Sequence, residues 1–146
     1  MKRLFIILAL AGSSFFTSSY AAGPETSPAV KQSFQTTFTG AKEIHWEVVG
    51  LLYKASFVMD GEHRCAFYNS DGELMAVTQN MTSVKLPKTL QASLQTEREG
   101  FWITELFVVS VEGVDTYFVQ MENADTTVVL KSAGAKKWNI YKASEK

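Results

Sequence analysis

Apolar and polar residues alternate with two different periods along this chain, and each change of period marks a new element. After Ser27 the apolar residues recur every four positions, at Val30, Phe34 and Phe38. This spacing places them on one face of an α-helix. Ser27-Pro28 supplies an N-cap residue followed by proline at the first helical position, and Gly40 ends the pattern. The pattern predicts a first helix between Ser27 and Gly40.

The same helical spacing returns in the middle of the chain. Leu86-Pro87 opens it, Leu90 and Leu94 form the apolar stripe, and Gly100 closes it. A second helix is therefore predicted from Leu86 to Gly100.

Between and after the helices the apolar period is two, which is typical of strands with one covered and one wet face. Asp60-Gly61 and Asp71-Gly72 are hairpin-turn signals. The alternation predicts eight strands, at residues 43–48, 53–60, 64–69, 73–79, 101–111, 115–122, 126–131 and 137–141.

A short internal repeat accompanies this order of elements. Ser33-Phe34-Gln35-Thr36 is followed by Gly40, and Ser93-Leu94-Gln95-Thr96 is followed by Gly100, at an offset of 60 residues in both cases. A fixed internal offset indicates a duplicated structural unit. The fold class predicted is α+β, with two tandem helix-plus-four-stranded antiparallel units and the helices packed on one face of the sheet. Residues 22–82 form the first unit and residues 83–146 the second, fused as one compact domain. A closed barrel or a single lipocalin-like sheet conflicts with a helix beginning at Pro87.

The first 21 residues have the pattern of a secretory signal peptide. Met1-Lys2-Arg3 is basic, residues 4–11 are apolar, and Ser19-Tyr20-Ala21 fits a small-x-small cleavage site. Eight apolar residues are too few for a bilayer span of about 20 residues. The pattern predicts a periplasmic or secreted protein without a membrane anchor after cleavage.

The remaining composition argues against nucleic-acid binding. Without Lys2 and Arg3 the chain has 12 basic and 15 acidic side chains, a net charge near −3. Binding to a phosphate backbone calls for clustered basic residues instead. Cys65 is the single cysteine, so no intramolecular disulfide forms and stability must come from a hydrophobic core.

The sequence offers little for catalysis or metal binding. His45 and His63 are the two histidines, both on predicted strands, and no glycine-framed nucleophile accompanies them. His63 and Cys65 share one strand face, but zinc sites take three or four such ligands. No catalytic residue, metal or cofactor is therefore predicted.

The aromatic residues on strands are the remaining signal. Phe67 and Tyr68 alternate on one strand, which predicts that at least one of them leaves the core face of the sheet. Exposed Tyr and Trp are favoured interface anchors, so Tyr68 and Trp46 are the predicted partner-binding residues. Because Cys65 neighbours Ala66 and Phe67 and alternates with Arg64, it is predicted to turn toward the helix-covered face and to be buried and slow to react with thiol reagents.

Several of these motifs resemble an exported family of Gram-negative bacteria, the β-lactamase-inhibitor-like or PepSY-like proteins. The similarity rests on the aromatic helix stripe, Gly40-Ala41, the strand Ile44-His45-Trp46-Glu47 and the hairpin Phe67-Tyr68-Asn69-Ser70-Asp71-Gly72. It covers essentially the whole chain after residue 21. The resemblance implies a non-catalytic binding module that uses a sheet face.

Three functions follow as hypotheses. The first is an exported binding protein that recognises a protein or peptide on an open sheet face, with an inhibitor-like role among its possibilities. The second is a periplasmic carrier that encloses a small apolar ligand. The third is an enzyme that depends on His45 or His63.

Overall fold

The computed structural model describes residues 25–146, so the predicted signal peptide, residues 1–21, lies outside the described part of the chain. A short 3₁₀ helix, Ser83–Lys85, precedes the second α-helix. The helices and strands are, in chain order, α1 (Pro28–Thr37), β1 (Lys42–Val49), β2 (Leu52–Met59), β3 (Glu62–Tyr68), β4 (Leu74–Asn80), α2 (Lys88–Glu97), β5 (Trp102–Val111), β6 (Val114–Glu122), β7 (Thr126–Ala133) and β8 (Asn139–Glu145).

A side-chain cap explains where α1 begins, and a tryptophan hydrogen bond helps to hold α2 in place. The Ser27 Oγ accepts a hydrogen bond from the Val30 N–H at 3.3 Å, which satisfies a donor that has no partner within α1. The second α-helix has no such side-chain cap. It is held instead by Trp138, whose indole N–H donates to the Leu90 carbonyl at 3.2 Å.

The eight strands form one open antiparallel sheet in the order β1 to β8. The predicted fold class, two tandem helix-plus-four-stranded units, is therefore wrong. Strands β4 and β5 are paired from Val77 with Ser110 to Asn80 with Phe107, so the sheet continues across the middle of the chain. Two separate sheets would leave both of these strands with unpaired backbone groups at an edge. The helix at Pro87 does not divide the sheet, because the chain leaves β4, forms α2 and returns beside β4 as β5.

The last strand also differs from its prediction. It runs from Asn139 to Glu145, whereas alternation placed it at residues 137–141. Trp138 precedes the strand and is buried against α2.

The register shows which side chains share a sheet face, because directly paired residues point to the same side. Ala66 pairs with Val77, and Val77 pairs with Ser110. Leu106 is four residues before Ser110 on β5 and so lies on that side too. Ala66 packs with the core residues of α1, and Leu106 packs with those of α2. Both helices thus lie on one side of the sheet, which we call the helix face; the other side is the open face.

Two apolar clusters fill the space between the helices and the sheet. The α1 cluster contains Val30, Phe34, Ala55, Phe57, Ala66 and Tyr68. The α2 cluster includes Leu86, Leu90, Leu94, Leu106, Val119 and Trp138. Each helix therefore buries its predicted stripe against a different half of the same sheet.

The turn between β3 and β4 makes a close backbone contact with α1. Gly72 has a φ of +83°, and a Cβ placed on it would lie 2.9 Å from the Ala29 carbonyl oxygen. Asn69 shapes this turn, since its Oδ1 accepts from the N–H groups of Asp71 and Glu73 at 3.0 and 2.9 Å. Glycine is required at position 72 both for its conformation and for the space it leaves.

Candidate functional site

The open face is the candidate functional site. Both α-helices of residues 25–146 pack on the other side, so no helix of the described chain covers it. The pairings of β2 through β7 place on this face, among others, Cys65, Phe67, Thr78, Phe107, Phe118 and Lys131.

An aromatic band crosses one half of this face, from β5 to β8. We define it by Phe107, Phe118, Lys131 and Tyr141. The Phe107 and Phe118 rings stack with centroids 5.2 Å apart and planes within 9°. The Phe118 and Tyr141 rings meet edge to face at 5.6 Å and 82°. Direct ring contacts therefore link β5, β6 and β8, and Lys131 provides the member of the band on β7.

Lys131 lies within this band and is held by its rings. Its Nζ is 5.8 Å from the centroid of Phe118 and 5.5 Å from that of Tyr141, both within the range of a cation–π contact. Tyr141 reaches this position because β8 has a register irregularity opposite Val129 and Leu130. Such an irregularity redirects a side chain relative to regular alternation.

The band changes from buried to exposed along its length. Phe107 is only 5% exposed although no helix covers it, whereas Tyr141 is 48% exposed on the edge strand. Phe118 and Lys131 are intermediate. The half-buried members are packed against neighbouring side chains, while Tyr141 presents a large ring to solvent.

A row of smaller side chains lies next to the band, on the side toward the β5–β6 turn. Ser56, Cys65, Thr78, Val109 and Thr116 pair with one another across β2 to β6 on the open face. The Cys65 Sγ is 3.6 Å from the Ser56 Oγ. The side chains of this row are smaller than the rings of the aromatic band beside it.

The predicted contact residue Tyr68 does not lie on the open face. It pairs with Tyr53 on the helix face and is 0% exposed, in ring contact with Phe34 and Trp46. The expectation that Phe67 or Tyr68 leaves the core face is confirmed, but the residue that leaves it is Phe67 and not Tyr68. Phe67 does point to the open face, yet it is 8% exposed because neighbouring side chains on that face surround it.

Trp46, the other predicted contact residue, lies at the margin of the α1 cluster. It pairs with Ala55 on the helix face and is half-buried, with its ring centroid 5.3 Å from that of Phe34. The structure brings Trp46 and Tyr68 together in the core, with 6.3 Å between their ring centroids.

Cys65 faces the opposite way from its prediction. It is a half-buried thiol of the open face and does not lie beneath α1. His63 shares this face with it, as the spacing predicted, and is exposed, as is His45 on β1. Among the described residues, no three His, Cys, Asp or Glu side chains come together to form a potential metal site.

Sequence reasoning did not identify the aromatic band. The alternation of β6 did place Tyr117, Val119 and Met121 on one face, which leaves Phe118 on the other. The band becomes visible only with the register of β5 to β8, since its members come from four different strands. The Tyr141 position depends further on the irregularity in β8.

The burial of Tyr68 leads to a prediction about alkaline stability. Burial raises the pKa of Tyr68 to about 12, and the nearby Thr37 side chain opposes this with a smaller effect. The Tyr68 hydroxyl forms no hydrogen bond within the described residues, and the nearby Thr37 hydroxyl donates its proton to the Ser33 carbonyl. A phenol that keeps its proton longer in the folded state stabilises the protein below pH 10, and this stabilisation is lost as the pH rises toward 12.

We therefore expect Tyr68→Phe to change little at pH 7 and to protect the protein at high pH. The free energy of unfolding of the unmodified protein should fall by about 2 kcal/mol more than that of Tyr68→Phe between pH 9 and 12. Urea unfolding at several pH values measures this. Equal losses in the two proteins would show that the Tyr68 hydroxyl is not buried.

Comparison with known proteins places the fold in a known group. No protein-family model matches the chain, and no curated protein matches it. Among solved structures, a DUF2874 family protein of Bacteroides uniformis is similar with a TM-score of 0.73 at 14% identity, over 82% of this chain and 88% of that one. A BLIP-like protein of Bacteroides fragilis is similar with a TM-score of 0.69 at 15% identity, over 86% and 88% of the two chains.

A candidate periplasmic protein of Bacteroides eggerthii is similar too, with a TM-score of 0.72 at 15% identity, over 86% of this chain and 90% of that one. The chain therefore has the fold of the DUF2874 and BLIP-like proteins. Within residues 25–146, neither helix has the length and apolar character needed to cross a bilayer.

Proposed function

We propose that this is an exported, non-catalytic binding protein that recognises a protein or peptide on its open sheet face, centred on the aromatic band. The observation that carries this proposal is the band itself. Three aromatic rings and a lysine lie in direct contact on a face that no helix of residues 25–146 covers. Tyr is among the residues that contribute most to binding in protein interfaces, and aromatic residues including Phe are enriched there.

The comparisons and the N-terminal pattern support this proposal from other directions. One structural neighbour is named for its likeness to BLIP, and another for a periplasmic location. We include in the proposal that residues 1–21 direct export and are removed, and that the chain is related to the β-lactamase-inhibitor-like and PepSY-like proteins.

The packing of the core gives the carrier hypothesis less support. A carrier needs an enclosed apolar cavity between the helices and the sheet. That space is occupied in the α1 half by Phe34, whose ring contacts those of Phe38, Trp46, Phe57 and Tyr68 at 5.0 to 6.5 Å. The ordered aromatic surface on the other side of the sheet favours a macromolecular partner.

Site-directed cross-linking tests the proposal. A benzophenone maleimide attached to Cys65 reports on the open face, and the same reagent on Gln35→Cys in a Cys65→Ala background reports on the exposed side of α1. Both proteins are irradiated in periplasmic extract of the organism that encodes the chain. We expect one cross-linked partner from Cys65 that is lost with Tyr141→Ala and absent from the α1 position.

Two results would count against this function. Equal cross-linking from both positions would indicate non-specific contacts. A partner that persists in Tyr141→Ala and Phe118→Ala would bind elsewhere. Native mass spectrometry of the purified protein provides the check on the carrier alternative, since a co-purified small molecule would favour it.

A further inference from the structure

We propose that the aromatic band binds an acidic segment of the partner, with a carboxylate placed against the Lys131 ammonium and an apolar side chain beside it on the rings. This inference rests on the proposed function and adds the chemistry of the partner. It is carried by the charges of the open face and by the way in which Lys131 is held.

Two lysines around the open face form ion pairs with carboxylates of the same chain. Lys54 on β2 pairs with Glu47 on β1 at 2.5 Å. Lys146 pairs with Glu122 on β6 at 2.7 Å. Lys131 takes part in none of the ion pairs formed by residues 25–146. Its positive charge therefore faces the open side without a carboxylate of its own.

The rings hold this unpaired ammonium in one place. Cation–π contacts with Phe118 and Tyr141 fix the end of a side chain that otherwise has many rotamers. An ammonium has three donors, and a ring face satisfies none of them as a carboxylate oxygen does. Because Lys131 is half-buried, part of the cost of ordering and desolvating it is already met in the unbound protein.

The unpaired charge nearest to the band in this part of the sheet is also positive. Lys142 lies on the open face next to the band, paired with Val129, and it also forms no ion pair within residues 25–146. The nearest carboxylate in that row is Glu105, two strands from Val129 with Gln120 between them. Neighbouring strands are about 4.8 Å apart, so Glu105 lies about 10 Å from Val129 and farther still from Lys142 on the next strand. At such distances salt substantially screens the attraction between the two charges. The β7–β8 part of the face is thus positive.

A peptide carboxylate fits this site better than a membrane phosphate. On the open face, Phe107 is 5% exposed and Phe118 is half-buried, so neither ring is fully available to solvent. A membrane-binding site instead needs apolar side chains that project far enough to enter the lipid. A single side chain from a partner loop can reach the lysine across the sheet face.

Peptide selection tests the inference. A phage-displayed library of random dodecapeptides is selected on immobilised residues 22–146 at low and at physiological salt. We expect enriched peptides with Asp or Glu next to an aromatic or aliphatic residue. Their dissociation constants should rise at least about tenfold with Lys131→Gln, which corresponds to 1.4 kcal/mol or more. They should be unchanged with Lys136→Gln, a matched control in the exposed β7–β8 turn.

The variants separate failure of this inference from failure of the proposed function. Peptides that lose binding with Tyr141→Ala but not with Lys131→Gln, or that lack acidic residues, would overturn the inference and leave the binding face in place. Peptides that are indifferent to both substitutions, or no enrichment at all, would overturn both. Circular dichroism of each variant shows that it is folded.

Lipid binding is tested in parallel with vesicles of phosphatidylglycerol and phosphatidylcholine. We expect no co-sedimentation of residues 22–146 at physiological salt. Vesicle binding that is lost with Lys131→Gln would overturn the inference in favour of an anionic membrane.

Discussion

Replacing Phe34 by alanine is expected to lower the free energy of unfolding by about 3–5 kcal/mol. Phe34 is 2% exposed and lies at the centre of the α1 cluster. Its ring contacts four other rings, and the nearest, Phe57, is 5.0 Å away in an edge-to-face arrangement. Alanine would leave a cavity that these rings cannot fill without moving α1. Since small domains have only about 5–15 kcal/mol of stability, this is a large part of the total.

Phe118→Ala is the matched control for this prediction. It removes the same side chain from the open face, where Phe118 is half-buried and has no helix over it within the described chain. We expect a loss of about 1–2 kcal/mol, because less apolar area returns to water and no closed cavity forms. Urea unfolding monitored by circular dichroism measures both variants. Equal losses would contradict the assignment of the covered and open faces.

Among the glycines of residues 25–146, Gly72 is expected to be the most sensitive to replacement by alanine, with a loss of about 3 kcal/mol. Part of this is the cost of a positive φ for a residue with a Cβ, about 1–2 kcal/mol. The rest arises because that Cβ would lie 2.9 Å from the Ala29 carbonyl oxygen. That oxygen belongs to the backbone of α1, so relief requires the helix to shift away from the β3–β4 turn.

Gly113→Ala isolates the first of these two costs. Gly113 has a φ of +77° in the β5–β6 turn, but a Cβ there would meet nothing within 4 Å. We expect a loss of about 1–2 kcal/mol from conformation alone. The difference between the two variants, measured by urea unfolding, then gives the cost of the contact with α1. A similar loss in both would show that α1 does not pack on the β3–β4 turn.

Local pattern predicted the elements of this fold well, because helices and hairpins are specified over a few residues. The four-residue stripe of Phe34 and Phe38 and the N-cap at Ser27 both correspond to features of α1. Pairing between β4 and β5 is different, since 21 residues that include α2 separate these two strands. No turn residue specifies such a pairing. It follows instead from the need to satisfy the backbone groups of both strands. The 60-residue repeat and the unit boundaries at residues 22–82 and 83–146 remain predictions.

The facing of β3 was wrong for a related reason. Alternation tells which residues share a face, but on this strand both faces carry an aromatic residue, Phe67 on one side and Tyr68 on the other. Both turn out to be buried, so neither hydrophobicity nor alternation distinguishes the sides. The deciding contacts come from α1, through Phe34, and from neighbouring strands on the open face. These are long-range contacts that a single strand does not encode.

Thiol labelling tests most directly the claim that one face of the sheet is open to solvent. The chain has a single cysteine, Cys65, on the open face of β3, and the next residue, Ala66, lies on the helix face at 0% exposure. A double variant, Cys65→Ala with Ala66→Cys, therefore moves the thiol by one residue to the other side of the same strand. A water-soluble maleimide is added to both proteins, native and in denaturant, and adduct formation is followed by mass spectrometry. We predict that Cys65 reacts in the native protein, whereas the thiol of the double variant reacts only in denaturant. Protection of Cys65, with rapid native labelling of the double variant, would place Cys65 beneath α1 and contradict the open face described above.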